Sequence, residues 1–221
     1  MVQFTCVPKP VANWLHVLRP LFHHRHHVVF CWLLVCQAIY QEKATITGLA
    51  RLAPRHMAEW HLRRLLTAAY WNWRILWWWF ADQVTATLPP PEDGVCYLVV
   101  DSTIKDKTGS QHPVAKKGRL NEYAPYVFGL PMVVVMLHWG NYRIPVDFEI
   151  VRRTDHPQYR SDKALFRRML VRFRRPRGAE MVVVVGDAAL ASKANMQLIS
   201  HRGDFFVIAC ARTWRFENGQ T

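Results

Sequence analysis

Residues 97–103 read YLVVDST and residues 181–192 read MVVVVGDAALAS. In each, a run of β-branched or aromatic neighbours, the composition of a buried strand, ends on an aspartate. α/β sheets present their ligands at the carboxyl ends of strands. Two such strands delivering Asp101 and Asp187, 86 residues apart, are the strongest functional signal in the chain. The plainer reading of either aspartate is a loop or helix cap, a position that Asp favours in any protein.

Charge narrows what those acids act on. The 221 residues carry 29 Lys and Arg against 16 Asp and Glu, a net charge of +13, with a pI near 10. That balance favours a polyanionic partner, nucleic acid first, over an acidic protein or a neutral small molecule. The surplus is uneven: residues 1–94 hold 9 basic and 5 acidic side chains, and residues 95–221 hold 20 and 11. The part with the two acids is therefore the more basic one. At 51% hydrophobic residues, the chain has enough apolar material for a sizeable core.

Cys6, Cys31, Cys36, Cys96 and Cys210 form no CxxC pair, so reduced thiols in a cytoplasmic protein are the expectation. No secretory signal pattern opens the sequence. The apolar run VVFCWLLVCQAIY, residues 28–40, is shorter than the ~20 residues of a membrane span and reads as a buried helix. His23, His24, His26 and His27 flank Arg25 before it, as a metal-binding tract or as the solvated basic start of that helix.

Residues 1–88 read as a helical domain. Within it, Thr47 as N-cap, the helix GLARLA, a break at Pro54 and a helix from about Ala58 follow helix-turn-helix grammar. Trp60, Leu65 and Leu66 stand among the apolar positions of the second helix, and His61, Arg63 and Arg64 turn outward to a groove or to phosphates. Trp71, Trp73, Trp77, Trp78 and Trp79 then crowd nine positions, as a base-stacking platform or, more in keeping with helical spacing, as core between a helical and a sheet domain. LPPPEDG breaks the helix, with residues 89–94 as linker and 95–221 as a second domain.

After Asp101 a polar loop carries Lys105, Lys107, Lys116, Lys117 and Arg119. PMVVVMLHW and YRIPVDFEIV read as antiparallel strands joined by a two-residue turn at Gly140-Asn141. Pro145 puts the second at a sheet edge. In it Ile144, Val146, Phe148 and Ile150 alternate with Asp147 and Glu149, which read as a solvated face. Residues 161–175 form an amphipathic helix with Ala164, Leu165, Met169 and Phe173 inward and Arg167, Arg168, Arg172, Arg174 and Arg175 outward. Ten basic residues between Arg152 and Arg177 face only Asp155 and Asp162, an excess that suits phosphate contacts, Arg152 and Arg153 included. A helix from Ser192 to Gly203 and a third buried strand, DFFVIACAR, follow the Asp187 strand. The helical crossover suits parallel pairing of that strand with a central one.

Taken with the two acids, this order of elements resembles the DDE transposases of bacterial insertion sequences, over about residues 45–221. The specific parts are YLVVDST, the segment with Lys116, Lys117 and Gly118, the hairpin through IPVDFEIV, and VVVVGDAALAS. The resemblance implies an RNase H-like α/β fold, a mixed sheet flanked by helices, behind a helical DNA-binding region. It makes Asp101 and Asp187 catalytic carboxylates and metal ligands. It implies two Mg²⁺ ions, replaceable by Mn²⁺, with water and then a DNA 3′-hydroxyl as attacking groups. The partner implied is double-stranded DNA, bound by a homodimer, with no membrane. The third acid of such a site, a Glu on a later helix, has no match: Glu217 follows a strand directly, so the chain reads as truncated.

Two other readings compete. A phosphatase of the haloacid dehalogenase type wants further acids where Thr103, Ala191 and Ser192 stand. A non-catalytic DNA-binding product of a transposase gene fits the missing Glu.

Overall fold

The computed structural model describes residues 6–40, 45–54, 57–69, 72–106, 114–118 and 125–210. The chain divides into two compact units, residues 1–76 and 77–221.

The first unit is helical. α1 spans Lys9–His16, a 3-10 turn spans Arg19–Leu21, and α2 (His24–Ile39), α3 (Ile46–Leu52) and α4 (Glu59–Thr67) follow. α2 buries Phe30, Trp32, Leu33 and Cys36, as its unbroken apolar run dictates. His27 belongs to this core: its Nε2 lies 3.0 Å from the Leu15 carbonyl oxygen. Among the described residues no group of three or more His, Cys, Asp or Glu side chains is placed to hold a metal ion together. Thr45, not Thr47, caps α3, because its Oγ1 can accept from the N–H of Gly48 three residues on. In α4 the buried positions are Leu62 and Leu65, whereas Trp60 and Leu66 are exposed. That correction follows from one turn of helical phase: Leu62 and Leu65 are three apart and occupy the inner stripe. Among the described residues no helix is long and apolar enough to cross a membrane.

The second unit is a mixed α/β layer. α5 (Trp73–Thr87) contributes its later turns, with Ala81 in the core. β1 (Val95–Asp106), β2 (Lys116–Gly118), β3 (Val127–Trp139), β4 (Tyr142–Ile150), α6 (Asp162–Arg172), β5 (Met181–Gly186), α7 (Lys193–His201) and β6 (Phe205–Ile208) follow. The sheet runs β2-β3-β1-β5-β6, and β4 lies along the same edge of β3 as β2. β3 is antiparallel to β1 and β4, while β5 and β6 run parallel to β1. An antiparallel hairpin followed by a helical crossover to a central parallel partner is the RNase H-like arrangement.

The strand chemistry explains this order. Gly140, at φ 57°, makes the two-residue turn between Trp139 and Tyr142. Pro145, without an N–H, sits in β4, whose partner is β3. Ser161 and Ser192 cap α6 and α7 by accepting from Ala164 N and Asn195 N, and Gly203, at φ 72°, ends α7. The Pro-rich stretch packs in this unit: Pro89 O accepts from the Trp139 indole N–H at 2.9 Å.

Three expectations are corrected. β6 is not a buried strand: among the described residues it is the last of the sheet, with Phe205 and Val207 both more than half accessible. β1 does not stop at Asp101; residues 102–106 go on pairing with β3, whose 13 residues outreach the parallel half of the sheet. Asp147 and Glu149 are buried, not solvated. The cause is a β-bulge opposite Val135 and Met136: Val146 has no partner in the ladder, so the alternation changes phase and both acids fall on the core face. There Arg172 binds Asp147 at 2.7 Å and Glu149 at 2.8 Å, which also removes Arg172 from the outward set. Burial pushes the Asp147 carboxyl above the usual carboxylate range, and Arg172 offsets only part of that.

Replacing Arg172 by Met leaves two buried carboxylates without their cation. Urea unfolding at pH 7 should show a loss of about 3–5 kcal/mol. A group whose folded-state pKa is raised stabilises the fold below its unfolded pKa and loses that contribution as pH rises through the folded value. The deficit should therefore shrink as the pH is lowered and the Asp147 carboxyl, whose pKa burial raises, takes up a proton; a deficit that does not change with pH would show that the triad is not the source.

Candidate metal and nucleic-acid site

Val182 and Val184 of β5 and Leu98 and Val100 of β1 point into the helix-covered core. Alternate residues therefore occupy the opposite face: Tyr97, Val99, Asp101, Thr103 and Lys105 on β1, and Met181, Val183 and Val185 on β5. The parallel ladder ends at Val100 opposite Gly186. One residue further along each chain stand Asp101 and Asp187, both exposed. β1 continues past this point without a parallel neighbour, so the two acids occupy the notch where β5 stops.

A local device stands at each acid: one binds Asp187 itself, the other the residue that follows Asp101. Beyond Gly186 the chain turns, and the Leu190 N–H donates to both the carbonyl oxygen and Oδ1 of Asp187, at 3.2 Å each. Beside Asp101, the Ser102 hydroxyl donates to Asp162 Oδ2 at 3.0 Å, tying β1 to the first turn of α6. Between the two devices lies Asn195, fully buried near the start of α7. Its Nδ2 donates to the carbonyls of Leu190 (2.9 Å) and Lys163 (3.3 Å), and its Oδ1 accepts from Arg167 Nε at 3.1 Å. Sequence reading missed Asn195 and Ser102. The signal for Asn195 was an amide on the inward stripe of α7, three residues after its cap.

The basic residues named from sequence fall into three groups. Lys105 shares β1 with Asp101, and Lys116 and Lys117 lie on β2, paired with the start of β3. The polar loop expected there thus contains a short strand. Arg152 and Arg153 follow β4 at the same end, where Arg152 Nη1 lies 3.0 Å from His156 Nε2 and Arg153 pairs with Asp155. With Arg167 at Asn195, six basic side chains stand at the end of the sheet that carries the acids. Arg168 is exposed on α6, while Arg172 and Arg175 are taken up by ion pairs with Asp147, Glu149 and Asp204. The third group is remote in sequence: Arg63 and Arg64 are exposed on α4, with Arg63 paired to Glu59. Arg119 lies outside the described residues, as does Glu217.

Lys105 and β2 sit on an arm formed by the outer parts of β1 and β3. The arm is thin because two glycines close around Ile104. A Cβ on Gly129 would come within 2.5 Å of the Lys105 carbonyl oxygen, and one on Gly118 would come within 2.5 Å of Ile104 Cδ1. Lys117 Nζ lies 5.4 Å above the Tyr126 ring, fixing an exposed cation and an exposed aromatic side by side.

No family model and no curated protein matches the sequence. Among solved structures the chain is similar to a piggyBac transposase synaptic complex with hairpin DNA, at 12% identity over 95% of this chain and 48% of that one, with a TM-score of 0.45. It is also similar to the Mos1 strand transfer complex, at 11% identity over 81% of this chain and 58% of that one, with a TM-score of 0.30. The chain thus spans about half the length of these solved chains.

The arm yields a direct test. Gly129→Ala places a methyl group against the Lys105 backbone, so that β1 and β3 must move apart there. Hydrogen exchange should show residues 102–106 losing protection while residues 96–100, held by two neighbouring strands, keep theirs. Unchanged protection at 102–106 would mean that the arm tolerates the wider spacing.

Proposed function

We propose that this chain is the DNA-binding and catalytic part of a DDE-type transposase, acting on phosphodiester bonds of double-stranded DNA with Mg²⁺ held by Asp101 and Asp187. The observation that carries this reading is the position of the two exposed carboxylates, one residue beyond the end of the parallel β1–β5 ladder and on the sheet end that also bears Lys105, Lys116 and Lys117.

The donor set fits the ion. Mg²⁺ takes hard oxygen ligands, keeps several waters and is commonly bound through one or two carboxylates plus substrate phosphates. Neighbouring strands lie about 4.8 Å apart, a spacing at which two carboxylates can share one ion. When bound, the metal would supply charge neutralisation at the phosphate oxygens and activation of a hydroxyl nucleophile. The protein's own residues do the rest. Asp101 and Asp187 fix the reacting phosphate relative to the sheet, and the lysines and arginines around them hold the DNA backbone. In this reading they stay charged and serve as backbone contacts, not as general acids or bases.

A second reading, DNA binding without turnover, is favoured by one observation: among the described residues no third His, Cys, Asp or Glu joins Asp101 and Asp187. One experiment separates the two. The purified chain is incubated with supercoiled DNA and Mn²⁺ or Mg²⁺ beside the Asp101→Asn and Asp187→Asn variants. Metal-dependent nicking that both variants lose is the expected result. Binding with no nicking supports the second reading, and nicking that both variants retain overturns the assignment of the acids.

Binding itself should be strongly salt-dependent, since each neutralised phosphate releases about 0.9 counterion. Replacing Lys105, Lys116 and Lys117 together by Ala should reduce the slope of log K against log salt by roughly two to three. An unchanged slope would remove the arm from the interface.

A further inference from the structure

We infer that Asn195 is a positioning residue for the proposed metal site, holding the Asp187 turn in register with the β1 segment that carries Asp101; the inference rests on the metal-binding reading of those two acids. Two segments, the loop after β5 and the helix α6, meet at this one side chain. Asn195 N donates to the Ser192 cap at 3.2 Å, Nδ2 reaches the Leu190 and Lys163 carbonyls, and Oδ1 receives Arg167 Nε. Leu190 is the residue whose N–H holds Asp187 Oδ1. Lys163 follows Asp162, whose Oδ2 receives the Ser102 hydroxyl next to Asp101. The contacts therefore form a continuous path from one acid to the other: Asp187, Leu190, Asn195, the first turn of α6, Ser102.

The construction is more than α7 needs for itself. Ser192 already caps the helix, and an apolar residue at position 195 would fill the inward stripe. A fully buried amide with three side-chain hydrogen bonds is retained where its bonds fix something, because a buried polar group left unpaired is costly. What these bonds fix is the loop that follows β5. Leu190, fully buried, anchors that loop from below, and Asn195 grips its carbonyl from the side. With one Asp187 oxygen engaged by the Leu190 N–H, the orientation of the carboxylate follows the position of Leu190. Groups that orient metal ligands commonly contribute tenfold to a hundredfold in affinity.

The test reads Mn²⁺ binding by the intact chain, measured by electron paramagnetic resonance of the free ion, with thermal unfolding in parallel. Asn195→Asp keeps the shape, keeps an acceptor for Arg167 and places an acid in the first turn of α7, where acids favour a helix. It loses both donors to Leu190 and Lys163. It should weaken Mn²⁺ binding roughly tenfold or more, although the added negative charge by itself would strengthen it. Asn195→Ala should weaken binding likewise. Ser192→Ala removes the cap of α7 but leaves the amide in place, so it should lower the melting temperature without changing Mn²⁺ affinity. Should Asn195→Ala fail to fold, the isosteric Asp variant carries the test. The positioning role is overturned if Asn195→Asp binds Mn²⁺ as the parent does, or if Ser192→Ala weakens binding to the same extent. Asp101→Asn and Asp187→Asn are the separate check: if both retain parental affinity, the metal reading itself falls, whereas loss in these two but not in Asn195→Asp removes only the brace.

Discussion

The parallel pairing of Val95–Val100 with Met181–Gly186 is the constraint on which the site depends. It joins segments some 80 residues apart, and its register decides which side chains face the helices. A shift by one residue would send Val182 and Val184 out of the core and would carry Asp187 to the other face from Asp101. The apolar packing of α6 and α7 on one face therefore holds the register that matches the two acids on the other. Residues that never approach the site, Phe166, Leu170 and Ile199 among them, specify its geometry through burial.

Charge is used in two different ways in this chain. Part of the basic excess is internal: Arg172 neutralises Asp147 and Glu149, and Arg175 and Arg202 converge on the buried Asp204. Arg172 and Arg175 come from the basic stretch that reads as phosphate contacts, and together with Arg202 they fasten the ends of α6 and α7 to the sheet. The remainder is spent at the surface, around the end of β1. Net charge thus favours a polyanionic partner, while position says which cations are free to meet one.

What the sequence disclosed and what it hid follow from how local each feature is. The Ser192 cap, the Gly140 turn, the edge position of Pro145 and the order of elements rest on residues a few positions apart, and they were legible. The bulge at Val146 was not, because nothing within YRIPVDFEIV marks the residue that drops out of the ladder; β3 and Arg172 settle it from outside. The same holds for the length of β1. STIKD is polar and reads as loop, yet a long partner strand, and glycines that admit close approach, keep it paired as far as Asp106. The acids themselves were found through the apolar runs before them, whereas Asn195 becomes meaningful only once Leu190 and Lys163 are brought beside it.

The two pairs of carboxylates in this sheet make the last point by contrast. Asp147 and Glu149 lie on the face covered by α6, and burial obliges the protein to supply its own cation; Arg172 fills that role and leaves nothing for a ligand. Asp101 and Asp187 lie on the other face, exposed, with their described hydrogen bonds coming from a single backbone amide at Asp187. Exposure to solvent spares them the need for an internal cation, and in the proposed reading a dication with its waters would take the place that an arginine fills on the far side. Which acids in this fold are structural and which are available for chemistry is thus decided by the phase of the strand that carries them: the bulge turns one pair inward, and the uninterrupted alternation of β1 and β5 leaves the other facing out.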